Sequence, residues 1–93
     1  MQYVLIIHEV ADYAAWKLVF NEAASIRREA GERRYQVLAV DGERNRVAHF
    51  SEWTSVAAAR AFFESPKLVE IRRAAGVRSP EFVYLNLLEE GCL

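Results

Sequence analysis

The sequence predicts an α+β fold of order β-α-β-β-α-β, with a four-stranded antiparallel sheet and helices on one of its faces. Three observations predict it. An apolar, β-branched and aromatic run, Tyr3 to Ile7, opens the chain and reads as a strand. Two stretches with apolar residues at helical spacing follow, each preceded by a residue suited to capping free backbone amides. Between them lie two alternating runs separated by a short polar segment that starts Asp41-Gly42, the signature of a hairpin.

Taken in order, the first strand is expected over Gln2 to Val10. Its period of two sets Val4, Ile6, His8 and Val10 on one face and Tyr3, Leu5, Ile7 and Glu9 on the other. Both faces are apolar for most of their length, as in a central strand covered on both sides. Asp12 is the expected N-cap of a helix from Tyr13 to Ala30, whose stripe Tyr13, Trp16, Phe20, Ala23 and Ala30 faces the core. Gly31 follows as its left-handed stop.

The second strand is expected over Arg33 to Val40. The third, Arg46 to Trp53, presents Val47, His49, Ser51 and Trp53 on one face and Arg46, Ala48, Phe50 and Glu52 on the other. Thr54 or Ser55 caps an alanine-rich helix from Val56 to Glu64. Ser65-Pro66 then restarts the helix, because proline at the first helical position lacks only an amide that has no partner there. That piece presents Leu68, Ile71 and Ala75 and stops at Gly76. A linker, Val77 to Pro80, leads to a last strand, Glu81 to Leu88, and an unstructured tail.

This order is the split-βαβ, ferredoxin-like unit. Its crossovers are expected to set the first and third strands side by side and parallel in the centre of the sheet. The face away from the helices carries Tyr3, Leu5, Ile7 and Phe50, more apolar surface than a small domain leaves wet. A second copy of the sheet is its expected cover.

With 93 residues the chain is one domain, 1–93, and 53% of its residues are hydrophobic, which suits a full core plus a buried subunit face. The net charge of −1, from 12 basic and 13 acidic residues well mixed, argues against nucleic acid as a partner. The pairs Arg27-Arg28, Arg33-Arg34 and Arg72-Arg73 read as solvated helix ends, where cations suit the local dipole. The lone Cys92 forms no internal disulfide, and no apolar run reaches the roughly 20 residues of a membrane helix. The expectation is a cytoplasmic protein with no membrane partner.

The pattern His8-x-Val10-x-Asp12-Tyr13-x-x-Trp16-Lys17-x-x-Phe20 resembles the start of small bacterial proteins of the dimeric α+β barrel superfamily, close to its antibiotic biosynthesis monooxygenase branch. Glu52-Trp53-x-Ser55, Ser65-Pro66-x-Leu68 and Ala75-Gly76-Val77 before Pro80-Glu81 resemble its second half. The resemblance implies a homodimer closed through the open sheet face and a pocket between sheet and helices. It also implies one of several activities: cofactor-free oxygenation, polyketide cyclisation, haem degradation or decarboxylation. Haem-degrading members and plant-type cyclases use a histidine on the second helical segment. Val56 to Ala75 contains none, which argues against both.

The expected catalytic residues are His8 and His49, the two side chains that titrate near neutrality, on strands expected to be neighbours. With Tyr13, Trp16, Trp53 and Tyr84 as substrate-binding residues they would form one aromatic cavity. A histidine there suits general-base attack on an acidic phenol or enol, giving a carbanion that reacts with oxygen or closes a ring. Glu9 and Glu52 are read as pairing with Arg34 and Arg46 at the subunit interface. No metal-ligand spacing, phosphate loop or serine-nucleophile motif is present, so no cofactor is expected. The two readings are a cofactor-free monooxygenase or cyclase of an aromatic, polyketide-like metabolite, and a non-catalytic dimeric ligand-binding or stress-related module.

Overall fold

The structure, a computed structural model, describes residues 2–93. Strand β1 runs Gln2–Val10, followed by helices α1, Tyr13–Glu22, and α2, Ala24–Ala30. Strands β2, Glu32–Ala39, and β3, Arg46–Trp53, form the hairpin. Helices α3, Val56–Phe63, and α4, Pro66–Ala74, then lead into β4, Val77–Asn86. The sheet order is β2-β3-β1-β4, and every neighbouring pair is antiparallel.

Strands β1 and β3 are therefore adjacent, as expected, but antiparallel rather than parallel. The reason is topological. The helical crossover leaves β1 and β2 pointing the same way, and the hairpin reverses direction before β3 enters between them.

The capping chemistry holds at three helix starts. Asp12 accepts from the Ala15 amide, Ser55 from Ala58, and Ser65 from Leu68, with Pro66 in the first turn of α4. The first helix departs from expectation by breaking at Ala23, whose ψ of 1° ends α1 and starts α2. The break frees the Phe20 carbonyl, which takes a donor from the Arg27 guanidinium instead. The expected linker Val77 to Pro80 is instead the start of β4. Pro80 is tolerated because β4 is an edge strand and the β1–β4 register shifts beside it, between Ile7 and Glu9.

Helices α1 to α4 lie on one face. The inner positions of β1, Val4, Ile6, His8 and Val10, are buried, as are Val47, His49, Ser51 and Trp53 of β3. Two apolar clusters form there. Val4, Ile6, Trp53, Ala59 and Phe63 pack under α3, while Val10, Trp16, Phe20, Val47 and Ala75 pack under α1. On the other face, Leu5 lies opposite Phe50 and Val83, and Tyr3 stacks on Phe50 with ring centroids 5.3 Å apart. The register sets Glu9 against Arg46 and Glu52 against Arg34 at the ends of this apolar strip.

Gly31 makes the turn that joins α2 to β2. Its φ of +131° excludes most side chains, and an added Cβ would meet Thr54 Oγ1 at 2.7 Å. The expected outcome for Gly31→Ala is a loss of about 1–3 kcal/mol of stability, measured by urea denaturation. Gly42→Ala, where a Cβ meets nothing within 4 Å, isolates the backbone contribution because its φ is also positive, at +79°.

Candidate functional site

The two inner-face histidines occupy the gap between the apolar clusters. On β1, His8 follows Ile6 of one cluster and precedes Val10 of the other; on β3, His49 lies between Val47 and Trp53. Ile6 is the register partner of His49, and Val47 that of His8, so the imidazoles are diagonal neighbours on one face. Both line a cavity of about 60 Å³ between the sheet, α1 and the α3–α4 pair, partly open to solvent. Its walls include Trp16, Phe20, Phe63 and Ile71.

The imidazoles are held differently. His49, 3% exposed, donates from Nε2 to Oε2 of Glu32 at 2.8 Å. A carboxylate only accepts, so a proton sits on Nε2 of His49. The other oxygen of Glu32 accepts from Nε of Arg27, and the Arg27 guanidinium lies 3.7 Å from the Phe20 ring centroid. Arg27 and Glu32 are 5% and 6% exposed, so this is an ion pair enclosed by the core.

His8 is 5% exposed, and neither of its ring nitrogens has a hydrogen-bond partner among the described residues. Burial, then the charge of His49 and that of Arg72, lower its pKa from 6.5 to about 4. At neutral pH the ring is uncharged, and it presents one N–H and one lone pair for a partner from outside the core. Its neighbour is Trp16, with ring centroids 5.4 Å apart. The β1–β4 register shift falls at His8, and Ser79 opposite adopts a left-handed φ of 46°. Such irregularities locally re-aim a strand's side chains.

The sequence profile of the antibiotic biosynthesis monooxygenase family matches residues 11–74. The chain belongs to that family. The match spans the capped α1, the hairpin and both later helices, and so includes most of the residues around the cavity. Solved structures agree in fold. SnoaB, a cofactor-independent oxygenase from Streptomyces nogalater, superposes with a TM-score of 0.74 at 18% identity, over 96% of this chain and 93% of that one. A monooxygenase from the gene ActVA-Orf6 of Streptomyces coelicolor, solved with the ligand nanaomycin D, gives 0.66 at 17% identity, over 99% and 91%. A Deinococcus radiodurans protein carrying the same family description gives 0.71 at 14% identity, over 100% and 98%. No curated protein matches the sequence.

In this antibiotic biosynthesis monooxygenase family member, three of the six residues singled out from the sequence meet at the cavity: His8, His49 and Trp16. The other three lie elsewhere. Trp53 is fully buried among Phe62 and Phe63, behind the cavity wall, with its indole N–H donating to Ser51 Oγ at 2.8 Å. Tyr13, 43% exposed, packs on the outer side of Trp16. Tyr84 lies on β4 with the Arg60 guanidinium 4.2 Å from its ring, and burial raises its phenol pKa. Strand parity does put Trp53 on the histidines' side, but the rings of Phe62 and Phe63 pack against it and line the cavity in its place.

Three residues of the site were not found by sequence reasoning: Arg27, Glu32 and Arg72. Arg27, expected at a solvated helix end, is buried. Glu32 falls outside the expected second strand. Plain alternation would also put it with Arg34 on the opposite face, but the register shift between Glu32 and Arg34 turns it inward. Arg72 lines the cavity from α4. The one available signal was an arginine and a glutamate five residues apart across a helix-stopping glycine, which is weak.

The orphaned nitrogens of His8 give a stability prediction. Its folded pKa lies below its unfolded value, so the unfolded chain binds the extra proton between pH 6.5 and about 4. The His8 contribution is fully present above pH 6.5 and disappears as pH falls towards 4. At about 1.4 kcal/mol per pH unit it totals roughly 3 kcal/mol. The expected outcome for His8→Leu is stability at pH 7.5 equal to or above the parent, and a smaller loss between pH 7.5 and 4.5 in urea titrations. An equal acid loss in both proteins would remove the assigned role of His8.

Proposed function

We propose that this chain is a cofactor-independent oxygenase acting on a flat phenolic or enolic, polyketide-like metabolite, with His49 as base and His8 as hydrogen-bond donor to the substrate oxygen. The observation that carries the reading is the pair of buried imidazoles in one apolar cavity, one fixed by a carboxylate and the other unpartnered among the described residues. The family membership supports oxygen chemistry, and SnoaB is a cofactor-independent oxygenase of the same fold.

Glu32 sets the tautomer of His49 and stabilises the imidazolium that forms when Nδ1 accepts a proton, while Arg27 holds Glu32 in place. The uncharged His8 donates its N–H to the oxygen on which negative charge develops. A ring methylene activated by adjacent carbonyl and phenol groups thus loses a proton to give a stabilised carbanion. The carbanion transfers an electron to dioxygen, the radicals combine, and the returning proton completes a hydroperoxide. Loss of water then leaves a ketone. In net terms one methylene and one dioxygen become one ketone carbonyl and one water, so the substrate carbon is oxidised and both oxygen atoms are accounted for. Trp16 is the proposed wall against which the substrate ring lies, with Tyr13 at the rim and Trp53 and Tyr84 as outer supports.

The small cavity favours a second reading, a binding module without turnover. Its volume of about 60 Å³ is far below the roughly 300–1,000 Å³ of ordinary ligand sites. Only the reacting edge of a polycyclic substrate fits inside, and the remainder lies in the open side. An oxygen electrode with a dihydroxyanthrone as substrate separates the two readings. The oxygenase reading expects oxygen consumption with His49→Gln lowering kcat/KM by about 10²-fold or more and His8→Gln by at least about tenfold. Turnover unchanged by both substitutions would sink the histidine mechanism, and no turnover in the parent favours the binding module.

We also propose that two copies pair through the sheet face away from the helices. Its centre is apolar around Leu5, Ile7 and Phe50, and its ends carry opposed charges, the pattern of an interface core with a polar rim. Light scattering is expected to give a dimer, and Leu5→Arg a monomer. A monomeric parent would reject the pairing.

A further inference from the structure

Two arginines reach the cavity, and their charges are treated differently. Arg27 is neutralised by Glu32. Arg72, half-buried, has no carboxylate within 4.0 Å among the described residues. Its guanidinium is nevertheless fixed in direction. Nη1 donates to the Phe63 carbonyl at 2.9 Å, and the group lies 4.8 Å from the Phe82 ring centroid. The Phe63 carbonyl takes one N–H, and the other N–H groups of the fork stay available to a ligand. The unpartnered His8 lines the same cavity, whose other walls are largely apolar.

An unpaired cation and an orphaned neutral donor in an apolar recess are costly features unless something occupies it. We propose that Arg72 and His8 form a binding site for the carboxylate of an aryl carboxylic acid, with the ring against the Trp16 and Ile71 walls. The proposal rests on the reading of this cavity as a ligand site but not on oxygenation. A carboxylate can give one oxygen to the free N–H groups of the guanidinium and the other to the His8 N–H, both as charge-assisted hydrogen bonds. A phosphate would bring further charged oxygens against Phe63 and Ile71, where no donor is available to them. Size narrows the class further. The volume of about 60 Å³ is less than half the roughly 150 Å³ that encloses benzene. The carboxylate and the first ring atoms go inside, and the rest of the ring lies in the open side.

The test compares benzoate with benzamide, which has nearly the same shape and no charge, by calorimetric titration of the full chain. The expected result is benzoate binding at least about tenfold tighter than benzamide, as a charge-assisted hydrogen bond implies. Arg72→Gln is expected to abolish the preference, and Arg72→Lys, which keeps the charge, to retain part of it. Arg73→Gln, on the exposed side of the same helix, is expected to leave it unchanged. A change in the His8 ring nitrogen resonances on adding benzoate places the anion beside that ring. Equal affinity for the two probes, a preference that survives Arg72→Gln, or no binding of either at millimolar concentration would overturn the proposal. If Arg72→Gln unfolds, the Arg72→Lys comparison and the nitrogen resonances decide. Anthrone oxidation without a benzoate preference rejects only the anion site, and a benzoate preference without oxidation rejects only the oxygenase.

Discussion

Glu32 is the carboxylate on which the interior depends. It is buried on the helix side of the sheet and divided between two partners, Arg27 on α2 and His49 on β3. Three elements are thereby fastened at one point: the second half of the first helical segment, the edge strand β2 and the central strand β3. Removing one member of such an enclosed set strands the others without compensation, a larger loss than the set contributes as a whole. The break at Ala23 and the tight turn at Gly31 both serve this contact. The first gives Arg27 the Phe20 carbonyl, and the second returns the chain so that residue 32 lies near residue 27.

The rest of the core is arranged around that point rather than through it. Aliphatic and aromatic side chains form two clusters, and the histidines fill the seam between them. A core built only for stability would place apolar residues at positions 8 and 49. His8 in particular has two buried nitrogens with no partner among the described residues, a feature rare enough in folded proteins to call for an explanation. Local departures from regular geometry accompany each histidine: the β1–β4 register shifts at His8, and the β2–β3 register shifts beside Glu32, the partner of His49. Both occur on strand pairs that flank the seam, which ties the irregular backbone to the polar contents of the cavity.

The sheet separates two kinds of surface. One side holds the cavity under its helices; the other carries the apolar strip with opposed charges at its ends. A single change on β1 therefore acts on one side or the other according to its parity, and the two functions proposed for the protein, chemistry and self-association, are separable by sequence position. Membership of the antibiotic biosynthesis monooxygenase family and the likeness to solved relatives at 14–18% identity show how far sequences can drift while keeping this arrangement.

The element order, the limits of β1 and β3, the caps at Asp12, Ser55 and Ser65, and the shared face of His8 and His49 could all be read from the chain. Each follows from local chemistry or from a period of two or 3.6 residues, both of which are written in consecutive positions. The direction of β1 relative to β3 could have been derived from the same order but needed the whole path counted. What only the tertiary structure decided is the surroundings of the two imidazoles: Glu32 and Arg27 on one, Arg72 and the cavity beside the other, and Trp53 behind Phe62 and Phe63 instead of at the cavity. These depend on a one-residue register shift, a helix break with no proline or glycine to mark it, and the packing of two phenylalanine rings. None of the three leaves a periodic trace, because each is settled by contacts between residues distant in the chain.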